Sequence, residues 1–183
     1  MTPRRPSAIR WAFILLTVFT VSCTPKADLA PGHSLPLAAF TKNSVNVSIA
    51  LTRTVEGYFL LEATFTPPPD SHLYGKDIPR DGVDGLGRPT LLELTAWSKM
   101  QALGTLMESL PAFVVEFESL ELLVYPNGPV TLILPVSLPP GNEWVDDEVS
   151  VTFMACTVNG CKPPVVGKIV AVRVPGADAI SNP

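Results

Sequence analysis

The chain has 183 residues and a net charge of −4, from 13 basic and 17 acidic residues. An acidic chain argues against nucleic-acid binding and offers no electrostatic attraction to anionic lipid. The length suits one domain with a hydrophobic core, and we expect neither a cofactor nor a metal site.

Residues 1–22 are predicted to be an export signal. Arg4, Arg5 and Arg10 make its start positive, and residues 11–21 form an apolar run that is too short to span a bilayer permanently. Removing this segment changes the net charge to −7, because it holds three of the 13 basic residues and none of the 17 acidic ones.

The export signal ends in a pattern similar to a bacterial lipobox. Ser22 precedes Cys23, and in a lipobox this cysteine is lipidated and becomes the new N-terminus. The pattern departs from the usual one at Thr20, where leucine is typical. Cys23 is therefore predicted to anchor the protein to a membrane. The alternative is ordinary cleavage nearby, which would leave an unpaired exported thiol.

The remainder is divided into a tether at 23–35, a β-sandwich at 36–175 and a frayed tail at 176–183. The tether contains Pro25, Pro31 and Gly32, and it shows no apolar period.

The body reads as short strands separated by turn signals, which indicates an all-β sandwich or barrel. Residues 97–110 are ambiguous, and we interpret them as a loop or a pair of strands. The predicted strands are residues 45–52, 58–66, 89–96, 111–117, 121–125, 130–138, 149–154 and 169–174.

Two acidic segments invite other interpretations. Asp77, Asp81 and Asp84 lie within eight residues, but their spacing is not that of a calcium-binding loop, so we expect a solvated turn-rich loop. His72 has no second histidine or cysteine nearby, which makes a zinc site there improbable. Residues 146–148 are predicted to be a solvated strand edge.

Cys156 and Cys161 are the only two cysteines that follow Cys23, and they lie at the tip of a predicted hairpin. Asn159-Gly160 favours a tight turn whose central residues have positive φ. If residues 157–160 form the loop, the cysteines face each other at a separation that permits a disulfide. If only Asn159-Gly160 form it, Val158 lies opposite Cys161 and the bond would be strained.

A disulfide at this position has two interpretations that the residues leave open. A ring of about six residues stabilises a fold by only roughly 2 kcal/mol, and exposed disulfides with short loops are the reducible kind. Lys162 next to Cys161 would favour a thiolate. A structural staple remains the alternative. Copper(I) binding by the reduced pair with Met154 is a third, weaker possibility.

The segment from Cys156 to Pro164, with the Pro-Pro that follows the cysteines, resembles the N-terminal periplasmic domain of the DsbD family of thiol:disulfide interchange proteins. His72-Leu-Tyr74-Gly75, followed by residues 87–94, is a second match. The resemblance covers roughly residues 36–175. It implies an immunoglobulin-like sandwich with the cysteine pair in a hairpin.

The resemblance also implies roles for individual residues. Cys161 would form the bond to a partner protein, and Cys156 would resolve it. An aromatic residue would cap the cysteines, and by chain order the best candidate is Tyr125, in the segment 119–129. Full-length members continue into a membrane-spanning domain and a thioredoxin-like domain. Neither is expected in this chain, so its electron donor is expected to be another protein.

The sequence therefore predicts thiol–disulfide exchange in the periplasm or cell envelope, through Cys156 and Cys161. The expected partners are thioredoxin-like or membrane-embedded redox proteins. The alternative is a non-catalytic surface lipoprotein that binds a ligand, with a disulfide that only stabilises its hairpin.

Overall fold

The computed structural model describes residues 29–117 and 119–180, and nearly all regular structure in these residues is β-strand. One short 3-10 turn, Ala177–Ala179, follows the last strand. The all-β prediction is confirmed. The strands are β1 (Ser34–Lys42), β2 (Val45–Arg53), β3 (Phe59–Thr66), β4 (His72–Leu73), β5 (Leu91–Leu94), β6 (Gln101–Ala102), β7 (Met107–Glu108), β8 (Phe113–Phe117), β9 (Leu120–Val124), β10 (Val130–Ser137), β11 (Trp144–Phe153), β12 (Ala155–Thr157), β13 (Gly160–Cys161) and β14 (Val165–Pro175).

The larger sheet has the order β1-β2-β3-β10, and both β6 and β7 pair with the free edge of β10. Its central strands alternate buried and exposed residues because successive side chains of a strand point to opposite faces. The buried face consists of aliphatic side chains with Phe65, which supplies one half of the core.

The second main sheet, β14-β11-β5, covers that buried face. The two halves meet at Phe65 and Phe153, whose ring centroids are 5.6 Å apart in an edge-to-face arrangement. Leu92, Val151 and Val172 contribute further buried side chains from the three strands of this sheet. The predicted sandwich is therefore confirmed.

The segment 97–110 forms a loop and the two short strands on β10, which agrees with the interpretation as a loop or strand pair. A carboxylate from the other sheet positions its start. Asp147 accepts hydrogen bonds from the backbone N–H groups of Lys99 at 3.1 Å and Met100 at 3.0 Å, and from the Ser98 hydroxyl at 3.1 Å.

These contacts correct the prediction that 146–148 is a solvated edge. Beside residues 146–148, β11 pairs with β14 on one side, and β5 pairs with it only from Val149 to Thr152. The loop that follows β5 covers the other side of 146–148 through these hydrogen bonds. Asp147 is buried because it satisfies the loop backbone, whereas the side chain of Asp146 is almost fully exposed and lies 3.7 Å from Arg173.

Two small sheets form the region around the cysteines. One has the order β13-β12-β4, and the other is the hairpin β8–β9. Tyr74, directly after β4, joins them through a bridge to Val124 at the end of β9. The N–H of Gly75 donates to the carbonyl of Leu123 at 2.8 Å, which adds a second backbone link.

The ends of the described chain pack closer to the core than the sequence suggested. The strand β1 begins at Ser34, inside the predicted tether, and Leu29 before it is buried. Ala179 and Ile180, in the predicted tail, are also buried, because these apolar side chains cover core surface. The export signal and Cys23 lie outside the described residues. Within 29–117 and 119–180, no helix is long and apolar enough to cross a membrane.

Candidate functional site

The hairpin of β12 and β13 places the two cysteines directly opposite each other. Cys156 pairs with Cys161 and Thr157 pairs with Gly160, so the turn is Val158-Asn159. The sequence left two registers open, and the structure has the one in which the cysteines face each other. The turn therefore lies one position earlier than the expected Asn159-Gly160. Gly160 is the first residue after the turn, and it has a positive φ of 140°, which glycine adopts without strain.

Cys156 and Cys161 form a disulfide, with Cα atoms 4.0 Å apart. The two sulfur-bearing residues differ sharply in exposure. Cys156 is only 2% exposed, whereas Cys161 and the turn residues before it are exposed. A thiolate that approaches from solvent therefore meets Cys161 first.

Strand β4 brings a tyrosine to the disulfide from a distant part of the sequence. It pairs with β12 so that His72 lies opposite Cys156 and Leu73 opposite Ala155. The hydroxyl of Tyr74 lies 3.3 Å from Cys156 Sγ and 3.9 Å from Cys161 Sγ. A disulfide sulfur carries no hydrogen, so the tyrosine hydroxyl is the donor and Cys156 the main acceptor.

Burial shifts the pKa values of His72 and of Tyr74, which directly follows β4, in opposite directions. It raises the pKa of Tyr74, so the hydroxyl keeps its proton and its donor role across the neutral range. It lowers the pKa of His72, which leaves the imidazole neutral near pH 7. The rings of the two residues pack edge to face, with centroids 5.6 Å apart.

An apolar cluster encloses Cys156 on the protein side. Its buried members besides the cysteine are Tyr74, Ile78, Leu122 and Val124. Two of these belong to β9, so the hairpin β8–β9 packs directly against the buried half of the disulfide site. A thiolate on Cys156 would have few water contacts here, which increases the importance of any hydrogen-bond donor.

The apolar surface continues outward from this cluster across β8. Phe113 and Val115 lie opposite Val124 and Leu122, so they share the face that packs on the cysteine site. Together with Phe117 they are between 37% and 50% exposed. Exposed apolar patches of this kind mark surfaces that contact proteins, membranes or ligands.

Tyr125 does not cap the cysteines, which corrects its assignment by chain order. Its side chain is 1% exposed and belongs to the main sandwich core. Its hydroxyl donates to the Glu108 carboxylate at 2.5 Å and accepts from the Lys76 N–H at 3.1 Å. Burial, together with the bond to Glu108, raises the pKa of Tyr125. The hydroxyl at the disulfide belongs to Tyr74.

The remaining candidates are the residues that the sequence analysis considered as possible metal ligands. Within the described residues, no group of three or more histidine, cysteine, aspartate or glutamate side chains is placed to hold a metal ion. Asp77 forms an ion pair with Lys76 at 2.6 Å. Met154 is half-buried and packs on the apolar cluster.

The sequence analysis considered His72 only as a zinc ligand and did not place it beside the cysteines. His72 and Tyr74 reach the site through strand pairing across more than 80 residues. A signal was present: the alternation of His72, Leu73 and Tyr74 is that of a strand, which places the first and third side chains on one face.

No family model matches the chain, and no curated protein matches it. Two solved structures are similar to it. The N-terminal domain of Neisseria meningitidis DsbD, in the reduced form, is 15% identical at a TM-score of 0.40, over 63% of this chain and 76% of that one. The N-terminal periplasmic domain of Proteus mirabilis ScsB is 10% identical at 0.49, over 78% of this chain.

The first of these is an N-terminal DsbD domain, the kind of domain that the cysteine motif resembles. This chain spans about half (52%) of the ScsB chain that it matches.

Proposed function

We propose that the chain exchanges its Cys156–Cys161 disulfide with the thiols of protein partners outside the cytoplasm. The observation that carries the proposal is the asymmetry of the pair. One sulfur-bearing residue is exposed at the tip of a hairpin, and the other is buried beneath a tyrosine hydroxyl 3.3 Å from its sulfur. This arrangement separates the sulfur that is attacked from the sulfur that leaves.

The first step opens the ring. A partner thiolate attacks Cys161 Sγ, a new sulfur–sulfur bond forms between the proteins, and the Cys156–Cys161 bond breaks. The electron pair of that bond moves to Cys156 Sγ. The Tyr74 hydroxyl stabilises the charge there, because a hydrogen bond to a charged acceptor is stronger than one to a neutral sulfur.

The second step completes the transfer. A second thiolate of the partner attacks its own sulfur in the mixed disulfide, which releases Cys161 as a thiolate and oxidises the partner. In the opposite direction, the Cys156 thiolate attacks Cys161 Sγ, reforms the ring and releases the partner in the reduced state. Both directions use Cys161 for the bond between proteins.

The partners we propose are thioredoxin-like or membrane-embedded redox proteins. Support comes from the exposed apolar side chains of β8, which lie opposite Leu122 and Val124 of the cluster around Cys156 and would be buried by a protein surface. A small thiol would need no such surface. The predicted export signal and the predicted lipidation at Cys23 would place the exchange at a membrane of the cell envelope.

The reduction potential of the pair tests the proposal. The full chain carrying Cys23→Ser, so that only one pair titrates, is equilibrated in thiol–disulfide buffers and alkylated, and the oxidised fraction is read by mass spectrometry. Exchange proteins lie at about −120 to −270 mV, and a potential in this range supports the proposal. A potential below about −300 mV overturns it and leaves the alternative, a binding module with a structural disulfide.

A further inference from the structure

His72 lies next to the buried cysteine on the face that carries the disulfide. The register Cys161–Cys156–His72 runs across β13, β12 and β4. Directly opposed residues of antiparallel strands point to the same face, with Cβ atoms about 4.5–5.5 Å apart. Cys156 therefore has its disulfide partner on one side and an imidazole on the other.

Few ionisable groups surround this imidazole. Tyr74, on its own strand, and the cysteine pair on β12 and β13 share its face. Beyond the strand ends, Asp70 and Lys162 are exposed. In the neighbouring hairpin, the residues that face the cluster are apolar, and Glu121 alternates with them and is exposed. Beside the Tyr74–Pro89 bridge, Arg88 donates to loop carbonyls.

The reduced site requires a proton acceptor. Only a thiolate is an effective nucleophile, and burial in apolar surroundings raises the pKa of a thiol such as Cys156. Tyr74 keeps its own proton, since burial raises its pKa, so it donates a hydrogen bond but accepts no proton. His72, whose pKa burial lowers, is neutral near pH 7 and has a free nitrogen lone pair.

We propose that His72 is the base that takes the proton of the Cys156 thiol when the disulfide closes. This rests on the proposed function. As the ring closes, the Cys156 proton moves to the imidazole and Cys156 Sγ attacks Cys161 Sγ. The bond from Cys161 to the partner breaks, and the partner sulfur leaves with the electron pair. After closure the imidazolium gives this proton to water, because His72 is neutral near pH 7 in the oxidised protein.

Closure can be measured with glutathione disulfide as the probe. The Cys161 thiolate of the reduced full chain carrying Cys23→Ser attacks this probe, which forms a mixed disulfide at Cys161 and releases one glutathione. Release of the second glutathione, from the isolated mixed disulfide, reports attack by Cys156. General-base catalysis typically contributes about 10²–10⁴-fold, so His72→Phe should slow closure at pH 7 by at least about tenfold. Closure within about twofold of the parent rate would overturn the inference.

Two further variants separate a base from a packing contact. His72→Gln retains polar character but accepts no proton at this pH, so it should match His72→Phe. A parent-like rate for His72→Gln would overturn the inference. The chain has two histidines, and His33→Phe is the matched control. His33 is exposed before β1, with its ring nitrogen 3.2 Å from the Pro31 carbonyl, and its loss should leave closure unchanged.

A measurement on the parent chain avoids any folding defect of the variants. The two histidine ring signals can be titrated by NMR, and the closure rate can be followed over the same pH range. The rate should rise with pH and bend at the midpoint of the His72 titration. A rate that rises uniformly through that pH would overturn the inference.

The two proposals fail separately. A reduction potential below the exchange range rejects thiol–disulfide exchange with protein partners. The closure rates of the parent and the His72 variants still test the role of the histidine in that case, because all of them form the same disulfide. A potential within the range, combined with closure that is indifferent to His72, rejects only the role of the histidine.

Discussion

Replacing Tyr74 with phenylalanine removes the hydroxyl at the disulfide and little else. The ring remains to fill the cluster with Ile78, Leu122 and Val124. The lost contact is the donor 3.3 Å from Cys156 Sγ. In the oxidised protein this bond ends on a neutral sulfur, which is a weak acceptor, so we expect the free energy of unfolding to change by less than about 1 kcal/mol.

The effect on exchange should be larger than the effect on stability. Hydrogen bonds to charged groups contribute about 1.5–3 kcal/mol, and a sulfur acceptor puts this one near the lower limit. A loss of about 1.4 kcal/mol corresponds to one unit in the pKa of the Cys156 thiol and tenfold in an equilibrium constant. A thiol of lower pKa leaves faster, but only about half of the charge has developed in the transition state, so Tyr74→Phe should open about threefold more slowly.

The assay is the rate at which dithiothreitol opens the disulfide of the full chain carrying Cys23→Ser, with alkylation as the readout. The chain has three tyrosines, and the other two are matched controls. Tyr125→Phe removes a buried hydroxyl that binds Glu108, so it should reduce stability without slowing opening. Tyr58 is 67% exposed, and its replacement should change neither quantity. Equal opening rates for Tyr74→Phe and the parent would refute the reasoning.

Three further predictions follow from the packing. Gly87→Ala should slow disulfide opening, because its Cβ would lie 2.8 Å from ring carbons of Tyr74, whereas Gly85→Ala, with similar φ and open space, should cost only stability in urea denaturation. Asp147→Ala should lower the free energy of unfolding by about 1–3 kcal/mol, because it leaves buried loop N–H groups without an acceptor. For His72, whose folded pKa is lowered, stability should be complete above about pH 6.5 and decrease below it, and His72→Phe should abolish that decrease.

The sequence predicted those features that depend on local patterns. Alternation along β2, β3 and β10 identified the strands and their buried faces, because one side of each faces the core. The strand β1 was missed, since Pro36 coincides with a register irregularity and the apolar residues around it do not alternate. Pairing with β2 stabilises this segment, and such pairing has no local signature.

The site was predicted only in part, for the same reason. The cysteine pair and one of its two registers came from residues within the hairpin. The contribution of β4 depends on pairing between segments more than 80 residues apart, which chain order does not reveal. Tyr125 was chosen by order along the chain, and it lies in the main core because its position in the fold is set by the backbone bond to Leu73.

The structure contains two opposing influences on the reduction potential. Strand β12 pairs on both sides, and the N–H of Lys162 donates to the Ala155 carbonyl at 2.9 Å, so the cysteines remain adjacent when the bond is broken. Adjacent thiols favour the oxidised state and lower the potential. The Tyr74 hydroxyl stabilises the reduced state and raises it, by about 30 mV for 1.4 kcal/mol.

A shift of 30 mV is small compared with the full range of exchange potentials, so the tyrosine adjusts the equilibrium without deciding the class of disulfide. The tyrosine has a stronger influence on which of the two sulfurs a thiolate attacks. Attack on Cys161 expels a sulfur that has a donor already in place, whereas attack on Cys156 would have to reach a residue that is 2% exposed and would expel an exposed thiolate. Exposure and hydrogen bonding therefore both favour attack on Cys161 with Cys156 as the leaving sulfur. Thiol–disulfide exchange with a protein needs such a preference, whereas a structural disulfide does not.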